Sequence, residues 1–154
     1  MDYLTLKWLH VVSSAFLFGT GVGSAFYLVA AVATRDVRSA ATTARMVVIA
    51  DTLFTATTAI LQPLSGYYLA SMAGFDWHAA WLRWSLCLYA IAILCWLPVV
   101  WIQIRMRDTL REFRQGADRF PPRFWGFFWA WFALGFPALF AFMGIFYLMV
   151  AKPS

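Results

Sequence analysis

Charge is what this chain has least of. Only 12% of its 154 residues are Asp, Glu, Lys or Arg, against 63% apolar and 19% aromatic, far from the balance of a water-soluble domain. Histidine and cysteine occur twice each. Cys87 and Cys95 sit eight residues apart in one apolar run and lack the close spacing of a metal or redox pair. They read as packing residues, with no disulfide assigned. No nucleophile triad, phosphate-binding glycine loop, zinc helix motif or nucleotide fingerprint occurs, so hydrolysis and phosphoryl transfer have no support.

What is present is apolar length. Crossing a hydrocarbon core of about 30 Å takes about 20 helical residues, and runs of that size fall near 4–33, 46–72, 79–104 and 124–151. The first run ends in Ala31-Val32-Ala33, a small-residue spacing found at signal cleavage sites. It is nevertheless longer than the 7–15 residues or so of a signal core, and Asp2 interrupts a basic leader, so it is read as a retained helix. With no low-complexity segment and no internal repeat, 1–154 forms one integral membrane domain. The expected fold is all-α: a polytopic, four-transmembrane-helix up-down bundle in a lipid bilayer. Helix three is expected to continue past the membrane to Gln115, with Gly116 and Pro121-Pro122 as stops.

The net charge of +5 orients the bundle. Arg35, Arg38 and Arg45 flank the first connection, and Arg105, Arg107, Arg111, Arg114, Arg119 and Arg123 crowd the third; only Lys7, Arg83 and Lys152 remain for the other side. The positive-inside rule then places both termini and the short 73–78 connection on the periplasmic face of a bacterial inner membrane. A basic balance arranged this way gives no reason to expect nucleic acid.

Helix one carries a small-residue ridge, Ala15, Gly19 and Gly23, and on another face His10, Ser14, Leu17, Gly21 and Ser24. Helix two carries Asp51, Thr55, Thr58 and Gln62 at spacings of four, three and four, within about 40° of one face. Asp51 lies about 9 Å along the helix from Arg45, and a carboxylate there needs a partner, for which Arg105 or Arg107 are the candidates by depth. The stripe reads as ion pair plus hydroxyl packing, or as a proton path. Helix four opens with Phe124, Trp125, Phe127, Phe128, Trp129, Trp131 and Phe132, read as a lipid-facing aromatic belt, and Gly135 with Pro137 marks a place for a kink.

His10, His78, Lys7 and Arg83 share the outer end with Met72. Imidazole is a common haem and metal ligand, so His10 is the candidate axial ligand, with His78 or Met72 second and Lys7 and Arg83 as propionate partners. The same imidazole and thioether donors suit copper. Each residue also has an ordinary reading: His10 bonded to a neighbouring helix, His78 exposed in a loop, Lys7 and Arg83 snorkelling.

The segments Val48-Ile49-Ala50-Asp51, Gln62-Pro63-Leu64-Ser65-Gly66, Trp96-Leu97-Pro98-Val99-Val100-Trp101-Ile102-Gln103 and Tyr147 to Pro153 resemble an uncharacterised family of predicted bacterial integral membrane proteins, the domain of unknown function two-two-six-nine. Lys7-Trp8-Leu9-His10, with Gly23 and Phe26-Tyr27-Leu28, is more distantly similar to HemJ-type protoporphyrinogen oxidases and CopD-like copper-resistance proteins. In the HemJ-type proteins the histidine matching His10 is associated with haem b, and the basic residue matching Arg83 is usually lysine. The resemblance implies a b-type haem protein with an electron-transfer or porphyrin-redox role, in company with a second copy or a membrane redox partner. The rival expectations are a cofactor-free structural or assembly subunit, which would dock through the ridge and helix four, and a copper-handling protein.

Overall fold

The computed structural model describes residues 2–113 and 119–152. They form four long helices joined by short connections: α1 (Tyr3–Ala33), α2 (Val37–Met72), α3 (Ala80–Phe113) and α4 (Pro122–Ala151). Each contains a stretch long and apolar enough to cross a membrane, and among the described residues there is no strand. The all-α four-span fold expected from the apolar runs is therefore the fold observed.

The helix ends follow from capping chemistry. The Asp2 carboxylate accepts the Thr5 N–H (3.4 Å), and Asp36 accepts those of Arg38 and Ser39 (2.9 and 3.2 Å), satisfying donors that the first helical turn leaves free. Asp36 explains why α2 starts at Val37 and not near 46. Its first turns are amphipathic, with Val37, Ala40, Ala41, Ala44 and Val47 buried, a stripe that a search for unbroken apolar runs passes over. Pro122 opens α4 two residues earlier than expected, because proline suits the first helical position. Beyond the helix ends, Arg35 (φ 60°), Gly74 (φ 66°) and Lys152 (φ 42°) take the left-handed conformation that turns the chain away. α3 continues to Phe113 as expected, and the Gly116 stop lies outside the described residues. α4 is helical throughout, past Gly135 and Pro137.

The helices associate as two pairs. α3 packs along α4 and α1 along α2, the first half of α2 packs on α3, and α1 touches α4 only sparsely. One contact is very close: a Cβ on Gly144 would stand 2.9 Å from Leu88 Cδ1, so the missing side chain is what lets α4 approach α3 there. The core sits at the arginine-rich end, where Leu28 and Val32 meet the buried face of α2, Met106 and Leu110 of α3, and Phe124, Phe128 and Trp131 of α4. The aromatic belt is thus corrected. At helical spacing Phe124, Phe128 and Trp131 turn inward and are buried, whereas Trp125, Trp129 and Phe132 face out.

Lys152 Nζ lies 4.6 Å from the Phe75 ring and 5.6 Å from the Trp81 ring. These cation–π contacts tie the end of α4 to the 73–79 connection and the start of α3, at the end of the bundle where α1 begins.

Candidate functional site

At that same end His10 faces α2. Its Nδ1 is 2.7 Å from Ser65 Oγ, and Ser65 Oγ is also 2.6 Å from the Leu61 carbonyl. A hydroxyl has one proton. With that proton given to the carbonyl, Ser65 accepts from His10 Nδ1–H, and the ring is the tautomer whose Nε2 carries a free lone pair. One turn away Gln62 Nε2 donates to the His10 carbonyl (2.9 Å) and to Ser13 Oγ. Together these polar groups clamp α1 to α2, and Gly66 gives the ring its room, its absent Cβ falling 3.4 Å from His10 Cε1.

The other outer-end residues face solvent or lipid. His78 is exposed, its backbone N–H held by the Asp76 carboxylate at 2.8 Å. Met72, Lys7 and Arg83 are exposed as well. Ser14 donates to its own helix at the Val11 carbonyl (2.7 Å), and Gly21 lies further down α1. No hydrogen bond joins His10 to any of them, and none of the described cavities is lined by His10, His78 or Met72. Of the expected haem set, His10 offers a free ring nitrogen, Nε2; among the described residues there is no cluster of three or more His, Cys, Asp or Glu able to hold a metal ion.

The polar stripe of α2 is buried at Asp51, Thr55 and Thr58, and its local backbone is unusual. Residues Asp51–Thr55 form a single π turn within the helix, a wider turn often found at working sites. Thr55 Oγ1 donates to Asp51 Oδ1 at 2.9 Å, and Gln103 of α3 lies beside the carboxylate. Among the described residues no arginine forms an ion pair with Asp51. Arg107 pairs with Asp108 at 2.8 Å and Arg105 stacks over Trp101, because long cationic side chains near a helix end reach toward water more cheaply than into a core. Thr58 donates back to the Phe54 carbonyl. Among the described residues no hydrogen bond links Asp51 and Thr55 to the Gln62 cluster.

Asp51 and Thr55 open onto a cavity of about 300 Å³ at the centre of the bundle. Gln103 and Trp96 of α3 stand at its wall with Ala59, Ala92 and Ala138, and aromatic rings of α4, Trp131, Phe136 and Phe142 among them, close it. Among the described residues two of these wall side chains have a buried atom without a hydrogen-bond partner: Trp96 Nε1, a donor, and Gln103 Oε1, an acceptor. Between α1 and α4 the lining residues Gly21, Val22, Gly135 and Phe136 are exposed, so the cavity has a lateral slot toward lipid. Neither glycine has an atom within 4 Å of where its Cβ would be.

The ridge Ala15, Gly19 and Gly23 lines a separate open groove of about 830 Å³ between α1 and the first half of α2. Among the described residues no helix fills it. Cys87 is exposed and Cys95 half-buried, both with free thiols, so Cys87 faces outward and not into the packing.

Sequence reasoning passed over Ser13, Ser65, Tyr89, Trp96 and Gln103. The available signal was a glutamine in an apolar run seven residues after a tryptophan, which places both on one face of α3.

Fold and site thus define a four-span integral membrane protein with a polar-ended internal cavity. Residues 4–153 match the model of the family described as "Predicted integral membrane protein (DUF2269)", and the chain belongs to that family. No curated protein and no solved structure matches it.

Proposed function

We propose that the protein binds a lipid-soluble molecule with a hydrogen-bonding head in the central cavity. The observation that carries this reading is the pair of unpartnered buried atoms, Trp96 Nε1 and Gln103 Oε1, on the wall of one cavity. An unsatisfied buried polar group costs about 1–3 kcal/mol, and native packing leaves few of them. A ligand that bonds to both removes both costs, and its apolar body fits walls that are almost wholly hydrocarbon. Water can serve the Gln103 end, beside Asp51 and Thr55, but fits less well at Trp96, because each molecule needs two to four polar partners. The slot between α1 and α4 gives entry from the bilayer. Purification of the full chain in mild detergent, followed by solvent extraction and mass spectrometry, should recover a bound amphiphile. Gly135→Phe, which fills the slot, should lose it; equal recovery from both proteins would remove the cavity as the site.

A second reading rests on its own observation. His10 is held through Nδ1–H with Nε2 free, the arrangement ordinary for a metal-ligating imidazole, and this supports a b-type haem at the outer end of α1 in an electron-transfer or porphyrin-redox protein of the bacterial inner membrane. His10 would be one axial ligand and His78 or Met72 the other, with Lys7 and Arg83 as propionate partners. Copper would use the same Nε2. Protein expressed with ample haem should show a Soret band that His10→Ala abolishes; no band, with no copper on metal analysis, removes this reading.

A further inference from the structure

We propose that the ligand of the central cavity is a quinol, a flat ring bearing oxygens at opposite ends and an alkyl or isoprenoid tail. The proposal rests on the cavity being a ligand site and names the chemistry it takes.

The two unpartnered atoms differ in kind. Gln103 Oε1 can only accept, so the ligand must present a hydroxyl to it, while Trp96 Nε1–H can only donate and needs an oxygen. One ligand therefore carries a donor at one end and an acceptor at the other. Trp96 and Gln103 are seven residues apart on α3, which separates them by about 10.5 Å along the helix. Two carbonyl-like bonds and a six-membered ring between them measure about 5 Å, and two hydrogen bonds of about 2.9 Å bring the span to about 11 Å. A ring with oxygens at both ends has the reach to serve two residues two helical turns apart, whereas a fatty acid or sterol offers a single polar head, which satisfies one atom and leaves the other bare.

The walls agree with a flat ring. Trp131, Phe136 and Phe142 offer aromatic faces on the α4 side, and the small side chains of Ala59 and Ala92 leave a thin space opposite. A ring hydroxyl bound at Gln103 also lies next to the Asp51 carboxylate, which Thr55 holds by a 2.9 Å hydrogen bond. The tail leaves through the slot at Gly21 and Gly135, where the absent side chains keep the passage open.

The test uses the full chain in nanodiscs and follows the unfolding midpoint and equilibrium binding with a decyl-substituted benzoquinol, its oxidised quinone, decanol and decanoic acid. The quinol should bind about tenfold more tightly than the quinone, since the oxidised ring has no hydroxyl for Gln103 Oε1, and one hydrogen bond is worth about that ratio. Gln103→Leu should erase the preference for the reduced form. Trp96→Phe should weaken both forms about tenfold. Trp96→Phe removes no hydrogen bond made by the ligand-free protein, whereas Gln103→Leu also takes the Gln103 amide away from the Asp51 carboxylate; far-ultraviolet circular dichroism checks that both variants fold, and Trp96→Phe alone carries the test where Gln103→Leu does not. Gly135→Phe should block all binding. Decanol or decanoic acid binding as tightly as the quinol, and blocked by Gly135→Phe, would overturn the quinol assignment and leave the cavity as a site. Failure of all four probes to bind would overturn both.

Discussion

The Ala59 carbonyl has no donor in its own helix, because Pro63 stands four residues on and has no N–H. Tyr89 of α3 supplies the proton instead, its hydroxyl donating to that carbonyl. Removing the phenol should leave a part-buried acceptor unsatisfied, at about 1–3 kcal/mol. Tyr89→Phe is therefore expected to lower the unfolding midpoint in mixed micelles. In a Pro63→Ala background, where residue 63 regains its N–H, the same change should cost much less, and a double-mutant cycle measures the difference. Equal costs in both backgrounds would show that Tyr89 matters for its ring and not its hydroxyl. The proline was visible in the sequence, but its consequence was not. Which side chain answers an unpaired carbonyl depends on the crossing of two helices thirty residues apart, and nothing local in either segment records it. His10 is a parallel case. Its rarity inside a membrane segment marked it, while Ser65, which fixes its tautomer, looks on its own like any small helix residue.

At the scale of the helix, small residues were legible as a stripe on α1, yet the tightest packing occurs elsewhere. Gly19 and Gly23 face an open groove, whereas the single Gly144 of α4 meets Leu88 of α3. Period alone says which residues share a face and not which face receives a neighbour. The two sites should respond oppositely to added volume. Gly144→Leu should destabilise by about 1–3 kcal/mol through overpacking, and Leu88→Ala should recover part of it by clearing the space. Gly144→Ala should cost less than Gly144→Leu, because the obstructing atom is the movable end of Leu88. Gly19→Ala meets nothing, and should hold stability or raise it by about 0.5–1 kcal/mol through lower backbone entropy in the unfolded chain. A loss at Gly19 comparable with that at Gly144 would mean that the groove is filled by a second chain in the membrane. The aromatic start of α4 teaches the same point: a run of rings looked uniform in sequence, but the helix turned Phe124, Phe128 and Trp131 into the core and left Trp125, Trp129 and Phe132 outside.

Across the whole molecule, the number of spans followed from apolar length, because lipid leaves helices no alternative backbone partner. The central cavity did not follow, since it belongs to no segment: it arises where α1 and α4 fail to close against each other while α2 and α3 bring Asp51 and Gln103 to the same depth. Nothing near Gln103 in the sequence marks this, because only the packing of α2 brings Asp51 beside it. An even number of crossings has one further consequence. Both chain ends must lie on one side, and the placement of Lys152 against Phe75 and Trp81 puts the 73–79 connection with them. Reporters that are active only outside the membrane, fused in turn after Lys152 and into the 73–79 connection, should both be active, and the same reporter placed in the 34–36 connection or near Arg119 should be silent. Opposite results for the first two insertions would break the four-span fold itself. All four results inverted together would keep the fold and reverse its orientation, which only the arginine distribution sets. Replacing Arg35, Arg38 and Arg45 with glutamine should then leave orientation intact, because the arginines before α4 remain. Removing both sets should produce molecules of both orientations, and the ratio of reporter signals from the two sides measures how much of the topology charge alone decides.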